Sequence, residues 1–535
     1  LQQRAGASNQ PWQRSEEPTA RAGEKPQRSR RMLISMEAPT PSAMPAQSFR
    51  QLQQQLSADV DDVTAAADAW DVLVVPSLNL DAQQIKLVTG VHHYEERQLF
   101  ELIRLRQPKA RMVFVSSKLL PELVVDSVLE LLPGVPISHA RQRLKLFDTD
   151  DASPRPLAEK LLERPRLLQR IRQSLRLERS FISCFNVGAL ERDLSEALQL
   201  PLLGTDPALA WWGTKAGSRE LFRRCALPHP DGSPLVQSFS DLVEACLELV
   251  GRQPRLKRAV VKLNEGFSGE GNGPLELDAL QLEDCSESER RSRLQVALER
   301  LPMPASDWRA LLQQQGALVE AWLSGGEELS SPSVQGMIHP GGRVEVLSTH
   351  EQLLGGPSGQ TYLGCQFPAR EAYRRDLQRW GQAVGAELAG LGALDHFSVD
   401  GLARRIGGDW DLQAIEVNLR KGGTTHPMQA LRYLSNGSLC QDSGRFLSPT
   451  GSELHYKATD NLSDPRMQGL LPMDLIDLVA GAGLHYDALS ESGSVFHLLG
   501  CLSEHGKLGM TCIGRSAAEA EQVYARTKAE LLDRR

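Results

Sequence analysis

Residues 412–427, LQAIEVNLRKGGTTHP, place polar side chains at alternate positions within an apolar run. Side chains two residues apart in a β-strand point to the same face of a sheet. Glu416, Asn418 and Arg420 are therefore expected on one face, which then carries an acid, an amide and a cation. The opposite, apolar face is formed by Ile415, Val417 and Leu419.

Bulk properties narrow the class of protein. A chain of 535 residues is too long for one hydrophobic core, which predicts three or four structural units. A net charge of -7 provides no basic footprint for nucleic acid. No apolar run approaches the roughly 18 residues of a membrane span, so neither nucleic acid nor a membrane is expected as a partner. The eight cysteines are scattered without metal-ligand spacing, which is typical of reduced thiols and predicts a cytoplasmic location.

The N-terminal part of the chain has two kinds of sequence. Residues 1–49 are rich in Gln, Arg, Ser, Pro and Ala and are expected to be disordered. Between residues 50 and 203, short apolar strands alternate with helical stretches, which predicts a parallel α/β domain. A cover without chemistry of its own is the alternative role for this domain. The predicted strands are residues 71–78, 111–117 and 180–187, and the predicted helices are 94–106, 121–132 and a segment ending at Leu198.

Residues 204–440 have a different pattern, which predicts strands that pair with the next strand along the chain. One hairpin is predicted over residues 333–350, with its turn at Pro340-Gly341-Gly342, and a second over 396–418, with its turn at Gly407-Gly408-Asp409. Consecutive hairpins predict an antiparallel sheet. Further predicted elements of this domain are strands at 258–264 and 317–323 and helices at 286–300 and 369–391. Residues 441–535 are predicted to form a separate α-β-β-α domain, with a hairpin at 493–514 and a last helix capped by Ser516.

The second hairpin brings two acids together. If its loop has an odd number of residues, Asp400 lies directly opposite Glu416, with Asn418 beside them. Two close carboxylates repel each other, and a cation between them relieves the repulsion. Carboxylate and amide oxygens suit Mg²⁺, which binds few protein groups together with substrate phosphates. A pair of surface acids at a sheet edge is the alternative.

Two lysines add candidates for binding an anion. Lys262 lies in VVKLNEGFSGEGNG, residues 260–273, where a strand leads into a glycine-rich loop whose backbone N–H groups could approach a polyphosphate. The loop matches neither the P-loop nor the kinase pattern, so a flexible hairpin tip is the alternative. Lys215 precedes a helix that is expected to begin near Ser218. The nucleotide-binding candidates in the loop are Gly266, Ser268, Gly269 and Gly271.

The order of these elements resembles the ATP-grasp superfamily of carboxylate–amine ligases. A lysine before a helix is followed by a strand lysine with a glycine loop, then by VEAWL, then by an aspartate and the motif E-x-N-x-R. The resemblance implies that Lys215 and Lys262 hold the phosphates of ATP and that Arg420 steadies the transferred phosphoryl group. It implies Asp400, Glu416 and Asn418 as Mg²⁺ ligands, Glu320, Ala321, Trp322 and Leu323 as the hinge that meets adenine, and Glu327 or Glu328, with Glu328 preferred, at the ribose.

A narrower resemblance covers the chain from about Asp71 to its end. The stretches LPGVPISHARQRL (132–144), GTKAGSRELF (213–222), EVNLRKGGTTHP (416–427) and FHLLGCLSEHGKLGMTCIG (496–514) are similar to the peptide-ligase subfamily typified by the enzyme of pheganomycin biosynthesis. This implies an α/β pre-ATP-grasp domain, an ATP-grasp body with antiparallel sheets and a small C-terminal α+β domain. The acidic loop residues Glu265 and Glu270 depart from the superfamily pattern.

The sequence therefore predicts an ATP-dependent ligase that joins a carboxylate to an amine through an acyl phosphate and releases ADP and phosphate. The expected partners are ATP, Mg²⁺ and small carboxylate and amine or peptide substrates, and a homodimer is also considered. Arg420, Lys262 and His350 are the catalytic candidates, and His426, which follows Arg420 on the outgoing loop, is a further candidate. An inactive nucleotide-binding scaffold and a small-molecule kinase are the alternatives.

Overall fold

The computed structural model describes residues 47–533, except residues 59, 61–69, 79–84, 86–87, 266–270, 281–284, 302–307, 356–358 and 360. Residues 1–49 were expected to be disordered. Of these, residues 1–46 lie outside the described part of the chain, and a helix begins at Phe49. Gly266, Ser268 and Gly269 also lie outside it.

A five-stranded parallel sheet forms the N-terminal part, in the order β3-β2-β1-β4-β5. Its central strand β1 is buried throughout, and alternate residues enter two different apolar cores: Val72 and Val74 pack on one side of the sheet, and Leu73 and Val75 on the other. Helices cover both faces, as a parallel sheet requires, which confirms the predicted α/β class. The strands are β1 (Asp71–Val75), β2 (Met112–Ser116), β3 (Leu144–Asp148), β4 (Ser180–Cys184) and β5 (Leu202–Leu203).

The helices of this part match the predicted ones closely and add several short ones. The predicted stretch 94–106 is a 3₁₀ helix, Val91–Arg106, and the helix ending at Leu198 is Ala189–Leu198. The others are Phe49–Gln53, Glu122–Leu129, Ile137–Gln142, Leu157–Leu162, Pro165–Arg172 and the 3₁₀ turn Leu177–Arg179.

An antiparallel sheet of nine strands is the centre of the molecule, in the order β14-β13-β10-β11-β12-β17-β19-β18, with β9 beside β13. Both predicted hairpins belong to it, as β10–β11 and β13–β14. Helix Glu371–Gly390 packs its apolar side against one face of the sheet. The strands are β9 (Leu329–Ser330), β10 (Pro332–Ile338), β11 (Val344–Gly355), β12 (Thr361–Phe367), β13 (Asp395–Ile406), β14 (Asp409–Asn418), β17 (His455–Ser463), β18 (Gly493–His497) and β19 (Lys507–Gly514).

The C-terminal strands continue this central sheet. Strand β17 pairs with β12, so hydrogen bonds of one sheet cross the predicted domain boundary at residue 440, and that boundary stays a prediction. The predicted hairpin at 493–514 is interrupted, because helix Gly500–His505 separates β18 from β19. Helix Ala517–Leu532 begins as predicted, with the Ser516 hydroxyl accepting a hydrogen bond from the backbone of Glu519.

A smaller three-stranded sheet, β7-β6-β8, packs with its own helices into a separate apolar core. Its strands are β6 (Arg258–Leu263), β7 (Asn272–Glu276) and β8 (Ala317–Ala321), and its helices are Phe239–Arg252, Glu287–Glu299 and Trp308–Gln315. The remaining elements are the pair β15 (Ser438–Leu439) and β16 (Phe446–Leu447), helices Lys215–Arg224, Thr425–Ser435 and Pro472–Gly481, and 3₁₀ turns Pro207–Gly213, Asp278–Leu280 and Pro465–Met467. None of the helices in the described part of the chain combines the length and apolar character that crossing a bilayer requires.

Candidate active site

The β13–β14 hairpin places Asp400 directly opposite Glu416, as predicted, but by a different route. Ile406 pairs with Asp409, so the loop consists of Gly407 and Gly408 only, both with the positive φ that a tight hairpin turn favours. A two-residue loop alone would place Asp400 opposite residue 415. A register shift between Asp400 and Gly401 restores the pairing with Glu416.

This β-bulge changes the apolar face of β14. Gly401 pairs with Ala414, so Ile415 is the additional residue on the bulged strand. Ala414 and Val417, three residues apart, are the fully buried side chains, whereas Ile415 is partly exposed. The predicted apolar row is therefore wrong at Ile415, where the bulge breaks the alternation, whereas Val417 and Leu419 pack into one apolar core as predicted.

Hydrogen bonds from neighbouring strands fix the Asp400 carboxylate. Ser333 Oγ and Gln352 Nε2 each donate to Oδ1 over 2.8 Å, and Asn418 Nδ2 donates to Oδ2 over 3.0 Å. Burial raises the pKa of Asp400 to about 6, and the negative charge of Glu416 adds to this effect. The hydrogen bonds only partly oppose the rise, so the pair of acids favours a cation beside it.

Lys215 comes to these acids from another element. Its helix begins at Lys215 itself, with Thr214 as N-cap, and the predicted start near Ser218 is wrong by one turn. The Lys215 backbone N–H donates to the carbonyl of Asn264, which fixes the start of the helix against the end of β6. The Lys215 ammonium contacts the Glu416 carboxylate, 201 residues away in sequence.

Lys262 lies in a buried group of alternating charges. Its Nζ is 2.5 Å from Glu320 Oε2, and Arg219 Nη1 donates to Glu320 Oε1 over 2.8 Å. Burial alone would raise the pKa of Glu320, but the charges of Lys262 and Arg219 outweigh it and hold the pKa below its usual value. Arg219 was not among the predicted site residues; its position four residues after Lys215, on the same side of the helix, was the available signal.

The predicted hinge leaves β8 where that strand ends. Trp322 N–H donates to the carbonyl of Arg258, and the Arg258 guanidinium lies 4.4 Å from the centre of the Trp322 ring. Ala321 is buried and Leu323 is partly buried. Glu328, the preferred ribose residue, forms an ion pair of 2.6 Å with Arg370.

Arg420 follows directly after β14 and stands near both acids. Burial lowers its pKa, while the charges of Glu416 and Asp400 act in the opposite direction. The next residue, Lys421, is buried and was not predicted to matter: its Nζ donates to Asp395 Oδ2 over 2.6 Å and to the carbonyl of Cys184 over 2.9 Å. Lys421 thereby anchors the end of β14 to β4 of the parallel sheet.

The three residues from His350 have different surroundings. His350 is fully buried and shares a hydrogen bond of 2.5 Å with the Tyr456 hydroxyl, and burial lowers its pKa to about 3. Glu351 accepts a hydrogen bond from the Tyr373 hydroxyl over 2.6 Å. Only Gln352 of these three is in contact with Asp400. The structure thus gives His350 packing contacts rather than a place among the acids.

The glycine loop is described only at its end, where Gly271 accepts a hydrogen bond of 2.8 Å from the backbone of Leu263. Among the described candidates, the structure brings Asp400, Glu416, Asn418 and Lys215 into one contact network, with Arg420 close by. Lys262 and Glu320 form the neighbouring network on the small sheet.

Comparisons with known proteins agree with this architecture. A family model for the PGM1 C-terminal domain matches residues 474–527. L-propargylglycine–L-glutamate ligase of Streptantibioticus cattleyicolor is 28% identical over 467 residues, which cover 86% of this chain and 93% of that protein. IQ motif-containing protein H of Danio rerio is 22% identical over 531 residues, and the chain spans about half of its length, with 90% of this chain and 50% of that protein covered.

A solved structure supports the fold independently. Biotin carboxylase from Campylobacter jejuni, in a complex with β,γ-ATP, superposes with a TM-score of 0.51 at 10% identity, over 86% of this chain and 94% of that one. At this identity the likeness concerns the fold. The chain therefore shares the fold of that biotin carboxylase, and over most of its length its sequence is similar to that of L-propargylglycine–L-glutamate ligase.

Proposed function

We propose that the protein is an ATP-dependent ligase that forms an amide, in particular a peptide bond, from a carboxylate and an amine. The observation that carries the proposal is the convergence of Asp400 and Glu416, from one hairpin, with Lys215, which lies 201 residues before Glu416 in the sequence; Arg420 is beside them. The similarity to a relative named as a ligase of two amino acids supports the same reaction class.

The acids suit a divalent cation. Asp400 and Glu416 face each other across two strands, and their mutual repulsion, together with burial, raises the pKa of Asp400. Asn418 adds an amide oxygen to the same side of the strand pair. Oxygen donors of this kind are the ligands that Mg²⁺ prefers. When bound there, the metal ion would neutralise phosphate charge during phosphoryl transfer.

The lysines suit the phosphates of ATP. Lys215 contacts Glu416, and Lys262 contacts Glu320, so each ammonium group is held at a carboxylate at the edge of the site. A complex of a divalent cation with a polyphosphate can satisfy both partners of the Lys215–Glu416 pair, because the cation binds the carboxylate and the phosphate binds the ammonium. At the other pair, phosphate can bind Lys262 while Glu320 keeps Arg219 as its partner. Glu320 to Leu323 and Glu328 would then meet the adenosine part of the nucleotide.

Amide formation from a free carboxylate needs an activated acyl group, and ATP can supply it. A carboxylate oxygen attacks the γ-phosphorus, ADP leaves, and the acyl phosphate remains. The amine nitrogen then attacks the carbonyl carbon, phosphate leaves, and the nitrogen loses a proton. Arg420 and Lys215 would stabilise the charge on the transferred group, and positioning of this kind is the main demand of phosphoryl transfer. No nucleophilic side chain is needed.

Two alternative functions can be distinguished from that of a ligase. An inactive nucleotide-binding scaffold is disfavoured because Lys215, Asp400, Glu416 and Asn418 are all present and in contact. A small-molecule kinase would leave a stable phosphorylated product, whereas a ligase releases free phosphate together with ADP. A homodimer and a cytoplasmic location stay predictions.

The test combines a substrate screen with one substitution. Purified protein is incubated with ATP, Mg²⁺ and pairs of amino acids or short peptides, and ADP, phosphate and the ligated product are measured, the last by mass spectrometry. Glu416→Gln should lose ADP formation by about 10²-fold or more, because it removes charge at the site of transfer. Glu248→Gln, at an exposed position of helix Phe239–Arg252, is the matched control. Parental ADP formation in a folded Glu416→Gln protein would refute the assignment.

A further inference from the structure

A cavity of about 80 Å³ lies between the N-terminal part of the protein and the central sheet. That volume exceeds what a single water molecule needs, which is roughly 10–15 Å³. One side is formed by helices Val91–Arg106 and Glu122–Leu129, and the other by helix Thr425–Ser435 and strand β18. Its walls are mainly aliphatic and aromatic, and include Leu99, Phe100, Ile103, Val124, Val128 and Tyr433.

One end of this cavity is polar, and four buried nitrogen atoms there lack partners among the described residues. Both ring nitrogens of His426 and Nε2 of His497 are buried without a hydrogen-bond partner among the described residues, and the same is true of Arg97 Nε. The two imidazole rings are 4.1 Å apart, and all three residues line the cavity. Buried polar groups in folded proteins are nearly always satisfied by protein or by ordered water, so this cluster requires water or a ligand in the cavity.

The charge state of this end is defined by burial. Burial lowers the pKa of His497 to about 3 and that of His426 well below its usual value, and the positive charge of Arg97 contributes to both. Both imidazoles are therefore neutral at physiological pH, and each offers one N–H donor. With the cationic Arg97 beside them, they form an end suited to an anionic oxygen. Glu96 also lines the cavity, and its carboxylate already accepts hydrogen bonds from the backbone N–H of Gly500.

The polar end adjoins the proposed catalytic centre. His426 follows Arg420 by six residues, and the charge of Arg97 contributes to lowering the pKa of Arg420. Arg97 is held in place by Asp460, whose Oδ2 accepts from Nη1 over 3.1 Å, and by the Phe185 ring at 4.5 Å. A ligand that occupies the cavity therefore has its polar end towards the residues that would perform the phosphoryl transfer.

We propose that the cavity binds the apolar side chain of an amino-acid or peptide substrate, whose carboxylate faces Arg97, His426 and His497. This inference rests on the proposed ligase function and adds the substrate class: the substrate carries a medium-sized aliphatic side chain and no charge at the end of that side chain, because about 80 Å³ is less than the roughly 150 Å³ that an aromatic ring needs. A mere packing defect would be lined by apolar groups and would not gather unpaired nitrogens at one end.

The test changes the size of the cavity in both directions. Val128 lines one wall, so Val128→Phe fills the cavity and Val128→Ala enlarges it. Ala430→Leu fills it from the opposite wall, which protects the test against a misfolded Val128 variant. Val296→Phe, on the exposed surface of helix Glu287–Glu299, is the control for the added ring.

ADP formation is measured for a series of amino acids with side chains from glycine to phenylalanine, together with aspartate and lysine. The filling variants should lower kcat/KM for the preferred large apolar substrate by roughly tenfold or more, and much less for alanine, since a pocket discriminates by about this factor per side-chain group. Val128→Ala should shift the preference towards larger side chains. An unchanged order of preference in all three variants would overturn the proposal.

Two further readouts separate this inference from the proposed function. Binding of a fluorescent ATP analogue to the wild type tests the nucleotide site directly. If the wild type binds nucleotide and makes ADP but its preference does not respond to Val128, the cavity proposal alone fails. If no ADP forms with any substrate, a thermal shift of the wild type by leucine, absent in Val128→Phe, still supports the cavity; no shift refutes it.

Discussion

Lys421 offers the sharpest test of how this protein holds its site together. We expect Lys421→Met to destabilise the protein strongly, because methionine keeps most of the length of the side chain but removes the ammonium group, with its charge and its hydrogen bonds to Asp395 and Cys184. Lys421 and Asp395 are both almost completely buried, and Nζ lies 2.6 Å from Oδ2. At an effective dielectric constant of about 20, their attraction is about 6 kcal/mol before desolvation is subtracted.

The net effect is smaller than this attraction. Asp395 keeps the ring nitrogen of His396 at 2.7 Å as a second partner. Breaking a buried pair from one side typically costs about 3–5 kcal/mol, because one charge stays behind. We expect the lower end, about 3 kcal/mol, and a fall in Tm of the order of 5 °C or more. ADP formation should also fall, since Lys421 positions the adjacent Arg420.

A double-mutant cycle measures the coupling. Asp395→Asn is the suitable partner, because asparagine tolerates the positive φ of 72° at this position. Tm is recorded for both single variants, for the double variant and for Lys145→Met, which changes an exposed lysine. The double variant should be clearly more stable than the sum of the two losses predicts. Strict additivity, or a loss no larger than that of Lys145→Met, would refute the reasoning.

Three other outcomes are expected. Chelation of divalent cations should stop ADP formation and added Mg²⁺ should restore it; full turnover in the chelator would contradict the metal assignment to Asp400 and Glu416. Lys262→Met should raise KM for ATP by roughly tenfold or more and should change KM for the amine less. Equal changes in the two KM values would argue against a contact between Lys262 and phosphate. Burial raises the pKa of Glu95 from 4.5 to about 7, although the hydrogen bonds from Ser117 act in the opposite direction. The protonated carboxyl group of Glu95 therefore contributes its full stabilisation of the folded protein below pH 4.5, and this stabilisation is lost as the pH rises to about 7. Relative to Glu95→Gln, the wild type should lose about 3 kcal/mol over that range, and parallel curves of Tm against pH would contradict this.

The sequence was informative where local pattern decides structure. Alternating polar residues in β14 predicted the side of the strand that carries Glu416 and Asn418, and turn glycines located the hairpin. The bulge at Ile415 was not predictable, because two glycines and an aspartate are compatible with loops of two or three residues. The wrong loop length and the unseen bulge each shift the register by one, and the two errors cancelled at Asp400.

Residues whose role depends on distant partners were missed. Arg219 matters because it meets Glu320, 101 residues away, and Lys421 because it meets the backbone of Cys184, 237 residues away. Nothing in either local sequence identifies those partners. His350 shows the converse: it was a catalytic candidate from the sequence, but the fold buries it against Tyr456.

The pairing of β17 with β12 has a practical consequence for work with fragments of this protein. A fragment that stops at residue 440 would leave β12 with a row of unpaired N–H and C=O groups along its free side. Such an uncovered strand readily recruits strands from other molecules and promotes aggregation. The last hundred or so residues should therefore be expressed together with the rest of the chain, because their strands complete the sheet that carries Asp400 and Glu416.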